Sequence, residues 1–150
     1  DAKRKTTGSK SCHWEVDKRK LLKIMTRESL CLLLIAPGVL AVSLSYGLYP
    51  EITLKYLYDI EVNSANLANI FRAIMGLYIA LSIFWVAGAF NKSLRLAALW
   101  SMTIFMTGIA LGRILSIIID GFPYPIFLFY TGIEIFSALI GFYLIKNSNY

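Results

Sequence analysis

The sequence predicts an all-α integral membrane protein: a four-helix bundle with an N-terminal basic arm and short amphipathic interfacial helices. Three observations lead there. Hydrophobic residues make up 57% of the 150-residue chain against 16% charged, with a mean hydropathy of +0.63, too apolar for an ordinary soluble domain. Four apolar runs each reach the roughly 20 residues that a hydrocarbon core requires. The formal charge of +6 is concentrated at one end, with nine of the fifteen Lys and Arg before Leu30.

Residues 1–28 read as a basic arm and interfacial segment, and residues 29–150 as the transmembrane domain. The polar stretch Asp1 to Lys20 is expected to be extended and held by a partner, and its Asp1 start is what either a processed or a trimmed chain would show. From Asp17 to Arg27, Leu21, Leu22, Ile24 and Met25 are interleaved with Lys18, Arg19, Lys20, Lys23 and Arg27. This pattern suits a helix in the head-group layer, or a basic flank of the first membrane helix. In either case the five cations are candidate contacts for anionic lipid or an acidic partner.

The first membrane helix is placed at about 29–49, kinked at Pro37-Gly38 because proline removes a backbone donor and crowds the preceding turn. Pro50 to Val62 opens with a proline at a helix start. Ile52, Tyr56 and Ile60 recur every four residues, which predicts a short amphipathic helix on the bundle surface. Asn63-Ser64 reads as the cap of a second span at 65–90. NKSLR, residues 91–95, reads as a tight basic turn before a third span at about 96–119. Asp120 to Pro125 turns the chain into a fourth at about 126–145.

With four spans, the arm, the 91–95 turn and Lys146 share one side with twelve Lys or Arg, whereas the other side holds Lys55 alone. The positive-inside rule then puts both termini on the cytoplasmic, stromal or matrix side.

Charged residues inside the spans are costly unless paired, and so mark a site or a structural pin. Arg113 lies seven residues before Asp120, about 10 Å down its helix at 1.5 Å per residue. Glu134 enters from the same turn to a depth of roughly 12 Å, and Arg72 reaches about 10 Å. The expected cluster is therefore Arg72, Arg113 and Glu134, with Asp120 at its rim: two cations on one anion, suited to an anionic or polar ligand or to a register-fixing ion pair. Gly108, Gly112 and Ser116 are spaced four apart, as are Ser137 and Gly141, and both sets are expected to let helices approach closely. Aromatic residues including Trp85, Phe105, Phe127 and Tyr130 suit packing and lipid anchoring, or a groove for lipid, carotenoid or chlorophyll.

Some chemistry is excluded or unprovided. The single histidine, His13, lies outside every apolar run, which rules out a bis-histidine haem within the spans, and any chlorophyll would need another ligand. No metal-ligand spacing, phosphate loop or nucleophile-base set is present, so the reading is non-enzymatic, without resident metal and without nucleic acid.

FRAIMGLYIAL around Arg72, GIALGRILSIIIDGFP around Arg113 and Asp120, and Glu134 in the last span together resemble the small bacterial and algal membrane proteins of domain-of-unknown-function family 4345. The likeness runs from about Leu40 to Tyr143. It implies a four-helix membrane domain with distant kinship to DoxX-like proteins, and it brings no established activity. Two functions remain open. One is an accessory, structural subunit of a large membrane complex, such as a thylakoid photosystem or another bioenergetic assembly, that binds lipids or pigments. The other is a stand-alone carrier or sensor for a small anionic or polar ligand at the Arg/Glu pocket.

Overall fold

The computed structural model describes residues 26–148. The basic arm, with Lys18, Arg19, Lys20 and Lys23, falls outside the described residues. Arg27 is exposed at the start of the first helix.

Five helices follow in order: α1 (Arg27–Gly47), α2 (Pro50–Tyr58), α3 (Ala65–Phe90), α4 (Lys92–Asp120) and α5 (Pro125–Lys146). All but α2 are long and apolar enough to cross a membrane. Large apolar side chains such as Leu34, Leu77, Ile83, Ile104, Ile118 and Phe136 face outward. The chain is an all-α membrane bundle, dressed for hydrocarbon rather than water.

Local signals set the ends. The Thr26 hydroxyl accepts from Ser29 N at 3.3 Å, so α1 starts two residues earlier than the apolar run suggests. Ser64 caps α3 through Leu67 N, and Pro125 occupies the first turn of α5. NKSLR is not a turn. The Asn91 side chain accepts from Ser93 N at 3.0 Å and caps α4, so residues 92–95 form its first turn. A polar stretch with a good cap reads as a loop by composition yet costs little as helix. Arg95 is consequently buried and donates from Nη2 to Ala89 O at 3.2 Å, meeting a carbonyl at the C-terminal end of α3, where cations are favoured.

The face of α2 also differs from expectation. Ile52 and Tyr56 point away from the bundle, at 69% and 87% exposure, while Leu54 and Tyr58 are buried. The hydroxyl of Thr53 donates to the carbonyls of Ser45 and Tyr49, turning α2 so that Leu54 and Tyr58 face inward.

α1 packs chiefly on α3 and α4 on α5, with the α3–α4 contact joining the two pairs; α1 and α5 barely touch. Two packed clusters result. Near the α3–α4 connection, Trp85, Leu32, Leu99 and Met102 are wholly buried. At the α2 end, Tyr46, Leu54 and Tyr58 pack with Phe71, Tyr78 and Phe127.

The small residues that permit close approach are not all those expected. Gly141 lies directly on the Thr103 side chain, and Gly88 on Ala98, leaving no room for a Cβ at either. Gly108, Gly112 and Ser116 are exposed, and a Cβ at either glycine would meet nothing. The face of α4 that enters the core runs instead through Leu99, Thr103, Met106 and Ala110.

Candidate functional site

Between the two clusters the sparse α1–α5 contact leaves a cavity of about 310 Å³. Its walls are apolar: Leu34, Ile35, Val39 and Val42 from α1, with Phe105 and Met106 from α4. Gly38 adds bare backbone to the α1 wall, and nothing lies within 4 Å of where its Cβ would stand. Leu34 and Ile133 stand at the mouth, both exposed, so the cavity opens sideways toward the membrane.

Its principal polar feature is an ion pair. Arg113 Nε donates to both carboxylate oxygens of Glu134, each at 3.0 Å. The two side chains are only 20% and 11% exposed. The guanidinium carbon lies 5.2 Å from the centre of the Phe127 ring and 5.8 Å from that of Tyr130, close enough for cation–π attraction. Ser137, one turn from Glu134, adds a hydroxyl to the same wall.

Hydroxyl groups tie this site to α2. Tyr58 bridges the Ser45 hydroxyl at 2.9 Å and the Tyr130 hydroxyl at 3.3 Å, joining α1, α2 and α5. Tyr58 also stacks on Phe127, with ring centres 5.1 Å apart. Burial pushes the Tyr58 phenol up to about 12, outweighing its hydrogen bond with Ser45. At the exposed end of α2, Lys55 pairs with Asp59 at 3.0 Å and with Glu61 at 2.9 Å. The Glu61 contact, with Asp59 second, raises the Lys55 ammonium, and Lys55 lowers the Glu61 carboxyl. In water, exposed pairs of this kind add little stability.

A second hollow of about 220 Å³ lies on the α2 side of Arg113, lined by Ser116, Pro123, Phe127 and Thr131. Arg113 thus borders both spaces.

Two of the four residues expected to cluster are apart. Arg72 is exposed on α3 and lines neither space. Asp120 accepts from the Ser116 hydroxyl at 2.9 Å, one turn away on its own helix. The site therefore holds one cation and one anion, not two cations and one anion. Its hydrocarbon walls, and the contribution of α1 through Gly38 above all, were not evident from charged residues alone. Among the described residues no group of His, Cys, Asp and Glu is arranged to hold a metal. Of the aromatic residues named from the sequence, Phe105 and Tyr130 line the cavity, Phe127 lines the second hollow, and Trp85 is buried in the core.

No match is found among the curated proteins or the solved structures. The model of a domain of unknown function, DUF4345, matches residues 28–145, and the chain belongs to that family.

Proposed function

We propose that this protein is a non-enzymatic membrane binding protein that takes one lipophilic small molecule into its lateral cavity, with the polar end against Arg113 and Glu134. The observation that carries the reading is the combination of apolar walls, a side opening between α1 and α5, and a buried ion pair at the polar end. Ligand sites are commonly concave, mostly apolar and oriented by a few convergent polar groups. A pair serving only as a pin needs no cavity beside it. The charge distribution adds an orientation, with both termini on the cytoplasmic, stromal or matrix side.

Photo-crosslinking in bilayers tests this. A single-chain amphiphile carrying a diazirine on its chain is expected to label Leu34, Ile109 and Ile133 in preference to Trp100 and Phe136 on the outer surface. Equal labelling of all five would remove the reading.

A structural role in a larger assembly is a second reading, favoured by the block of nine cations before Leu30. Native electrophoresis of the endogenous protein tests it: migration within a large complex supports that role, and migration as a lone bundle contradicts it.

A further inference from the structure

The charge balance of the cavity constrains the chemistry of what it holds. Arg113 is matched by Glu134 through two hydrogen bonds. The remaining candidates for the site's charge lie elsewhere, Asp120 on Ser116 and Arg72 on the exposed side of α3. As a unit the pair is neutral. A ligand carboxylate would compete with Glu134 for one guanidinium and leave an anion uncompensated among hydrocarbon; a ligand ammonium would do the same with opposite sign.

The geometry of the pair adds a polarity. The hydrogen bonds to Glu134 run from Nε, at the inner edge of the fork. The buried Tyr46 side chain also meets this guanidinium; the terminal amino groups of an arginine are donors only, so a head group meeting a donor that Tyr46 leaves over must accept. Size adds a third constraint. At about 30 Å³ for each water-sized group, 310 Å³ holds roughly ten such groups. That is a head and the first part of one chain, with the remainder leaving between Leu34 and Ile133.

Resting on the cavity reading above, we propose that the occupant is an uncharged single-chain amphiphile whose head accepts a hydrogen bond: an amide, ester, ketone or alcohol. It enters from the bilayer, lays its chain along Gly38 and Val39 of α1, and places its head oxygen on the Arg113 fork. Glu134 holds the guanidinium in place and cancels its charge.

A head-group series on one common chain tests this with the full-length protein in delipidated detergent, read by native mass spectrometry. The probes are oleamide, oleyl alcohol, oleate and oleylamine. Oleamide and oleyl alcohol are expected to bind at least ten-fold more tightly than oleate and oleylamine. Glu134→Gln, which leaves the Arg113 charge unbalanced, is expected to reverse the order and put oleate first. The neutral Arg113→Gln/Glu134→Gln double variant is expected to keep the chain and lose the preference for acceptor heads, which separates head recognition from folding. Oleate binding the unaltered protein as tightly as oleamide overturns the neutral-head proposal and leaves the cavity reading intact. Failure of all four probes to bind, or equal binding of all four to Gly38→Leu, overturns both.

Discussion

Arg113 on α4 and Glu134 on α5 are joined by two hydrogen bonds of 3.0 Å from a single nitrogen, Nε, across the polar end of an apolar cavity. Both side chains are largely shielded, at 20% and 11% exposure, so loss of either partner strands the other. Glu134→Ala or Arg113→Ala is expected to cost about 3 kcal/mol, because an uncompensated charge remains buried. Arg113→Leu/Glu134→Leu is expected to return to within about 1 kcal/mol of the unaltered protein, since a well-packed apolar pair removes both charges together. Reversible unfolding in mixed micelles measures the four proteins side by side. A double variant as unstable as the single ones would show that the pair stabilises on its own account.

Arg72 provides the control. It is exposed and borders neither cavity, and it lies within a span, where an arginine facing outward is itself costly, so Arg72→Ala is expected to leave stability unchanged or to raise it. Binding of the neutral probes should be unaltered. A loss as large as that of Arg113→Ala would restore the three-membered cluster that composition suggests.

Packing between α4 and α5 is tested at Gly141. A methyl group there would meet the Thr103 side chain, so Gly141→Ala is expected to cost about 1–3 kcal/mol through overpacking. Thr103→Ala in the same protein should recover part of that loss. The same change at Gly108 or Gly112, where a Cβ meets nothing, is expected to be neutral or to stabilise by up to about 1 kcal/mol through helix propensity. Thermal unfolding of the four variants separates the glycines at the interface from those on the outside.

The hydroxyl link at α2 gives a pH dependence with a definite sign. Burial raises the Tyr58 phenol from 10.0 to about 12, so between those values the folded state holds a proton that the unfolded state has released. This contribution is fully present below pH 10 and is lost as pH rises through 12. Tyr58→Phe is expected to lower stability at neutral pH by about 1 kcal/mol, through loss of the hydrogen bonds to Ser45 and Tyr130. Its stability should also decline less over the alkaline window. Parallel alkaline declines for both proteins would contradict the assignment.

Much of the bundle is legible in the sequence because span length and helix caps are local properties. Ser64 caps α3 as its position suggests, and the Asp120 to Pro125 turn sets α4 and α5 antiparallel. That shared turn is also why depth arithmetic brings Arg113 and Glu134 together. Depth does not fix azimuth, and Arg72 shows the consequence. Six residues separate it from Tyr78, which lines the cavity, so at 100° per residue it stands about 240° around α3 from the cavity face. Gly108 fails for the same reason, two residues and about 200° from Met106 in the core face of α4. Arg95 is hidden by composition, because a polar stretch after Asn91 looks like a loop until its cap is seen. The cavity is harder still to read. It arises where α1 and α5 touch only sparsely, and no residue type announces how closely two helices pack.

The most direct test of the central claim is native mass spectrometry of the protein extracted in mild detergent, compared with Gly38→Leu extracted in the same way. Gly38 lines the cavity and a Cβ there would meet nothing within 4 Å, so a leucine can start into the space without a clash at its Cβ. One bound small molecule is expected on the unaltered protein and none on the folded variant. An unaltered protein that never carries such a molecule, or a Gly38→Leu variant that retains it in full, would contradict binding in the lateral cavity.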